Sequence, residues 1–375
     1  QTVSLTTGGE VPSFEHETGP RVRVNQVGYL PNGPKHATLV SDADEPVEWQ
    51  LLDSSDAAVA SGTTTPEGFD PSAGLDVHTI DFTAYTGTGE GYRLAADGEE
   101  SFPFDISASL YDQLRLDALN IYYSQRSGIA IDDDIKPGYG RPAGHVSPFT
   151  LAEEPLPPID EGGAAGSPNR GDHEVPCLPN ERFTWNNAQQ WGGFDHYGPE
   201  GWDCPEGYAL DLTGGWYDAG DHGKYVVNSG ISVYQLLSTY ERNQTAGIAD
   251  REALGDGTLT IPEAGNGLPD ILDEVKWNLD WMLQMQVPDG TEMGIGGDTI
   301  DAGGLAHHKL HDIAWTGLNI LPHEDPMPRF VHRPSTAATL NLAAAAAQGA
   351  RIYEPYLPDY ADELLDAARR AWDAA

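Results

Sequence analysis

The stretch Ser101-Phe102-Pro103-Phe104-Asp105-Ile106-Ser107-Ala108-Ser109-Leu110-Tyr111-Asp112-Gln113-Leu114-Arg115-Leu116-Asp117-Ala118-Leu119-Asn120-Ile121-Tyr122 changes its period part-way along. From Ser101 to Ile106 the residues alternate. Phe102, Phe104 and Ile106 fall on one face and Ser101, Pro103 and Asp105 on the other, as in a half-buried strand. From Leu110 to Arg126 the apolar residues recur at helical spacing: Leu110, Leu114, Leu116, Ala118, Ile121 and Tyr122. The switch separates a strand-built part of the chain from a helix-built part.

Upstream, short extended runs follow one another at turn-separated intervals: Val22 to Gly28, His36 to Ser41, Val47 to Asp53, Val77 to Thr83 and Gly91 to Ala96. That length and spacing predict an immunoglobulin-like β-sandwich over residues 21–107. Residues 1–20 read as a flexible tail, rich in Thr, Gly and Glu and without periodicity. Downstream, residues 108–375 read as an all-α domain with long loops. Helices are expected over Leu110 to Arg126, Tyr225 to Tyr240, Asp270 to Gln286, Thr336 to Ile352 with Ser335 as N-cap, and Tyr360 to Ala375. Between Ser127 and Thr213 the chain is irregular and rich in Pro, Gly and acids; loops of that length inside a domain are usually functional.

Lys and Arg total 20 against 59 Asp and Glu, a formal net charge of −39. Such a surface repels nucleic acid and anionic membranes and suits a neutral substrate or a cation. A disordered acidic chain is excluded, because 9% of the residues are aromatic and the acids are dispersed among periodic apolar segments. The balance fits a folded protein adapted to high salt, where ions screen the self-repulsion. No stretch is long and apolar enough to span a membrane.

The densest chemistry lies in Gly214-Gly215-Trp216-Tyr217-Asp218-Ala219-Gly220-Asp221-His222-Gly223-Lys224-Tyr225. Two carboxylates three residues apart sit in a Gly-rich aromatic turn feeding a helix. Neighbouring carboxylates can hold and deprotonate a water, and the flat faces of Trp216 and Tyr217 suit the apolar face of a sugar ring. A structural turn with an Asp N-cap accounts for one of the two acids but poorly for both. An EF-hand calcium loop would need a ligand spacing that is absent.

This motif resembles the signature of glycoside hydrolase family 9. Arg23-Val24-Asn25-Gln26-Val27-Gly28-Tyr29 is similar to the start of that family's amino-terminal immunoglobulin-like domain. Gly265-Asn266-Gly267-Leu268-Pro269-Asp270-Ile271-Leu272-Asp273-Glu274, His307-His308-Lys309 and Pro334-Ser335-Thr336-Ala337-Ala338-Thr339 match further blocks in the same order. The resemblance runs from Arg21 to the end. It implies an (α/α)6 barrel, of which this chain covers about half, and hydrolysis of β-1,4-glucan with inversion. It makes Asp221 the general base and Asp218 the group that helps position the water, and places His307 and His308 in a loop lining the cleft. The general acid is then a Glu beyond residue 375, supplied by the remaining carboxyl-terminal part of the barrel, as a further chain or a missing segment. The expected protein is secreted and extracellular, acts endo, and needs no cofactor for its chemistry, while a structural calcium is compatible with the family. Alternatives are an exo-acting glucosidase or glucosaminidase of the same family and a non-catalytic glycan-binding protein.

Some relatives carry a zinc site of two Cys and two His. Its positions correspond here to Ser127, Gly144-His145 and Tyr217, so only His145 survives and that site is expected to be lost. The two cysteines, Cys177 and Cys204, lie elsewhere. They are expected to form a disulfide, worth roughly 3–4 kcal/mol in the chain-entropy model; a new zinc site with His173 and His196 is the other reading.

Overall fold

A computed structural model describes residues 19–146, 171–178, 202–246, 251–312, 320–325 and 329–375. Residues 1–18 of the expected tail and His196 lie outside these ranges. Contacts divide the chain into one unit up to Arg115 and another from Leu116 onward.

The first unit is built from two antiparallel sheets. One has β1 (Val22–Arg23), β2 (His36–Val40), β6 (Leu75–Asp81) and β5 (Thr65–Asp70), in that spatial order. The other runs β4 (Ala58–Thr63), β3 (Glu48–Leu52), β7 (Gly89–Ala96) and β8 (Glu99–Glu100), with β9 (Phe104–Ile106) also pairing with β7. Alternate residues of both sheets meet in one core: Val22, Leu39 and Ile80 from the first, Leu51, Leu94 and Phe104 from the second. Each side chain so buried contributes roughly 1.5–3 kcal/mol relative to exposure. Tyr29 stands edge-on to Phe82 and Phe104, with ring centroids 4.9 and 5.2 Å away, a favoured aromatic geometry.

Two features depart from expectation. Strands β4 and β5 lie in a stretch where no strand is expected: it has few large apolar residues, and both elements are largely exposed edges. Phe102 does not share a face with Phe104 and Ile106. It is 49% exposed, whereas Ser101 is buried and its hydroxyl receives the Leu94 N–H. The alternation breaks because residues 101–103 cross from β8 to β9, and Pro103 has no N–H to continue a ladder.

The second unit carries α1 (Asp112–Leu119, which begins before the division), α2 (Ile121–Gln125), α3 (Val226–Thr245), α4 (Asp270–Gln284), α5 (Thr336–Tyr353) and α6 (Pro358–Ala374). Helix α3 packs on α4 and α5, and α5 on α6. The alanines of α5 explain its close approach: Ala338, Ala345 and Ala346 are buried with little bulk to hold a neighbour away. The Ser335 hydroxyl caps this helix by accepting the Ala338 N–H at 3.1 Å, and Pro358 opens α6 where no intrahelical donor is needed.

Among the described residues the second unit is not helical throughout. There its connections make three small antiparallel sheets: β10 (Val175–Pro176) with β12 (Ala209–Leu210); β11 (Trp202–Asp203) with β14 (Glu292–Ile295) and β15 (Asp298–Asp301); and β13 (Lys224–Tyr225) with β16 (Lys309–Asp312) and β17 (Arg329–Val331). Strands of two to four residues are too short to carry a readable period. No helix among the described residues is long and apolar enough to cross a membrane.

Candidate active site

The third small sheet positions the Asp motif. Lys224 pairs with Leu310 and Tyr225 with Lys309, while His311 pairs with Phe330 and Asp312 with Arg329. Strand alternation then turns Lys309 and His311 to one side of β16. Asp221 lies on that side. Its Oδ2 accepts from Tyr225 Oη at 3.0 Å, from the Gly223 N–H at 3.2 Å and meets His311 Nε2 at 3.1 Å. A side chain at Gly223 could not be accommodated, since a Cβ there would stand 2.4 Å from His311 and 2.5 Å from Asp221 Oδ2. Asp221 is 5% exposed. Burial pushes its pKa up, but the hydrogen bond and charge of His311, with the Tyr225 hydroxyl, outweigh that and hold it below the ordinary value. The carboxylate is kept ionised, the state a general base requires.

Asp218 is held differently. It is exposed. Its backbone N–H donates to Gly223 O at 2.9 Å, closing the turn between the two acids. Its side chain accepts from Asn228 Nδ2, on the first turns of α3, at 2.7 Å. Asp218 and Asn228 border a cavity of about 240 Å³, with Tyr122, Trp216, Tyr217 and Tyr225 among its walls.

Beneath the motif lies a buried ionic layer. Lys224 Nζ donates to Asp172 at 2.8 Å and to the carbonyls of Leu212 and Gly214. Arg329 reaches Asp172 and Asp312, each at 2.8 Å, and donates to the His222 carbonyl. All four charged side chains are fully buried. Burial lowers the Lys224 pKa to about 8 despite Asp172. Burial would raise Asp172, but Arg329 and Lys224 hold it far below the carboxylate range.

Trp216 and Tyr217 do not offer open flat faces: they are 5% and 4% exposed. Trp216 donates from Nε1 to Glu274 at 2.8 Å and packs on Tyr122, and Tyr217 Oη meets His145 Nδ1 at 2.6 Å. His307 is fully buried with both ring nitrogens engaged, Nδ1 with the His332 carbonyl at 2.6 Å and Nε2 with Tyr208 Oη at 2.8 Å. Burial takes its pKa down to about 4. His308 is half-buried and bonds Ser335 Oγ at 2.8 Å, which ties the loop to the cap of α5. Cys177 and Cys204 form a disulfide, and His173 faces Asp211 instead of a sulfur, so a zinc site on these cysteines does not form. Among the histidines of the sequence, His311 reads more readily as structural than as a site residue, Tyr225 only closes the motif, and Asn228 carries no signal of its own. The available signal was the placement of His311 two residues after Lys309, on the same face of one strand.

A family model for glycosyl hydrolase family 9 matches residues 111–375, and one for the cellulase N-terminal ig-like domain matches residues 17–101. The chain belongs to glycosyl hydrolase family 9. Among its family 9 relatives, Endoglucanase C of Cellulomonas fimi is 54% identical over all of this chain and 30% of its own length. The cellulose 1,4-beta-cellobiosidase of Acetivibrio thermocellus is 43% identical over 95% of this chain and 36% of its own. Among solved structures, a Bacteroides ovatus family 9 protein superposes with a TM-score of 0.68 at 28% identity, over 95% of this chain and 53% of that one. A metagenome-derived family 9 endoglucanase does so with a TM-score of 0.66 at 30% identity, over 94% and 54%. The chain thus spans about a third of these curated relatives and about half of these solved chains.

Proposed function

We propose that this chain carries the water-activating half of a β-1,4-glucan hydrolase that inverts configuration, acts endo and works outside the cell at high salt. The observation that carries the reading is Asp221: a buried carboxylate held ionised by His311, Tyr225 and the Gly223 N–H, three residues from an exposed Asp218. Asp221 takes the proton from a water, and Asp218, steadied by Asn228, orients that water. An inverting hydrolase sets its general acid about 6.5–9.5 Å across the water from the base. The reading assigns that acid, a Glu, to the region of the family 9 structures that these 375 residues do not cover, and the fold of the whole is then the (α/α)6 barrel. The chemistry uses carboxylates and water alone. The net charge of −39 supports the salt adaptation.

The test is to give the whole natural protein a soluble β-1,4-glucan and follow the products by proton NMR. The α-anomer should form first. Initial release of the β-anomer would overturn inversion, and the absence of any hydrolysis would favour a glycan-binding protein. The cellobiosidase relative at 43% identity supports a second reading, exo action. A rapid fall in viscosity per bond cut supports endo cleavage, and a slow one supports exo.

A further inference from the structure

The family's zinc site does not fit this chain. Of the corresponding residues only His145 is a nitrogen ligand; Ser127 bonds Asp172, and Tyr217 Oη occupies the Nδ1 side of His145. A side chain at residue 144 has no room, because a Cβ on Gly144 would lie 2.5 Å from Pro322 and 2.9 Å from Tyr217 Oη. The opposite nitrogen of His145 points elsewhere. We propose that His145, His222 and Asp325 form a different, three-residue site for one divalent transition ion, zinc above all, which pins the loop carrying Asp221.

One ligand atom from each of the three side chains lies within 4.8 Å of the other two. All three are buried: His145 0%, His222 5% and Asp325 0% exposed. Around a tetrahedral zinc with bonds of about 2.0–2.2 Å, neighbouring ligand atoms stand about 3.3–3.5 Å apart, and two imidazole centroids about 5.2 Å. His145 Nε2 is 3.5 Å from Asp325 Oδ2, and the centroids of His145 and His222 are 5.3 Å apart. The remaining contact joins His222 Nδ1 directly to Asp325 Oδ2. An ion entering there displaces the proton and opens that contact.

Among the described residues His145 Nε2 has no hydrogen-bond partner, although it is fully buried and faces the Asp325 carboxylate at 3.5 Å. In the tautomer that donates Nδ1–H to Tyr217 Oη, Nε2 presents a lone pair, and the Tyr217 bond is the outer contact that orients a ligating imidazole. The backbone supports this: His145 has φ +56°, a conformation rare outside glycine and kept where a side chain must be aimed. The nearby Arg329 cation is matched by Asp172 and Asp312, which limits its repulsion of an ion. Two imidazoles and one carboxylate suit zinc better than calcium or magnesium, which prefer oxygen. The three ligands come from three separate loops, and His222 adjoins Asp221, so the ion would restrain the catalytic turn without touching substrate.

The inference is independent of the substrate reading. The whole natural protein is stripped with a chelator, checked for fold by circular dichroism, loaded with zinc chloride and desalted. One zinc per chain should remain by mass spectrometry, and cobalt loading should give a visible absorption band of the tetrahedral kind. His145→Gln and Asp325→Asn should each weaken zinc at least tenfold, whereas His36→Asn on the sandwich should not. A folded wild type that retains less than a fifth of an equivalent of zinc overturns the proposal, as does a folded His145→Gln protein that binds like wild type. If neither variant folds, the cobalt spectrum of the wild type decides, and the lack of a tetrahedral band overturns the site.

Discussion

Asp218 and Asp221 are three residues apart, yet one belongs to the rim of the site and the other to its floor. On the floor, Asp221 takes three polar contacts from a strand, a turn and a tyrosine, above the buried ions Lys224, Asp172, Arg329 and Asp312. On the rim, Asp218 is exposed and takes one side-chain bond from Asn228 at the start of a helix. The difference teaches how one short motif supplies two roles. On the proposed assignment, the proton acceptor is the acid held by several fixed dipoles, and the group that adjusts the water is the one left with a single anchor and solvent.

The largest effect expected from this contrast is at the floor. Asp221→Asn in the whole protein should cut glucan turnover about 10²–10⁴-fold, because an amide cannot take the proton. Binding of the same glucan, measured by calorimetry, should be little changed. Near-normal turnover would remove the base from Asp221. Asp218→Asn should also lower kcat, and if it proves the more damaging of the two, the floor and rim roles must be exchanged.

The floor should also dominate stability. Lys224→Met leaves Asp172 fully buried with one cation fewer, and breaking a buried pair of this kind costs about 3–5 kcal/mol. Thermal unfolding should fall accordingly. A Tm unchanged within error would mean that the ionic layer is not what supports the motif.

A smaller effect separates position from chemistry. His311 is the main group holding the Asp221 pKa below its ordinary value. The folded pKa lies below the unfolded one, so this contact contributes stability above the unfolded pKa of about 3.9 and loses it as pH falls through the folded value. In the pH–rate profile, His311→Ala should move the acidic limb upward and lower kcat up to about tenfold, the change in rate that about 1.4 kcal/mol produces, with KM little altered. A purely structural role for His311 would leave that limb in place.

The smallest effect should be at the rim. Asn228→Ala removes one hydrogen bond to an exposed acid, worth about 1 kcal/mol, and should lower kcat a few-fold without shifting the acidic limb. Salt should sharpen the same division. At about 0.01 M the Debye length is about 30 Å, against about 3 Å at 1 M, so dilute buffer should lower Tm through the exposed carboxylates and hardly move the titration of the enclosed Asp221. Equal Tm at both salt levels would exclude salt adaptation.

The sequence by itself determined where strands give way to helices, because burial on one face writes a period of two or of 3.6 into the chain. That is why α3 to α6, and strands such as β2 and β7, were readable. It also determined that Asp218 and Asp221 share one turn, since residues so close along the chain are close in space whatever the fold. The tertiary structure alone decided the rest. His311 reaches Asp221 across ninety residues of sequence through the β13–β16 pairing, and Asp172 reaches Arg329 across a still longer interval. Strands of two or three residues leave no period to read, so neither contact is legible beforehand. Trp216 and His307 show the converse. A ring or an imidazole serves a core as readily as a ligand, and only the packing sets Trp216 against Glu274 in the wall of the cavity beside Asp218, and His307 between Tyr208 and the His332 carbonyl.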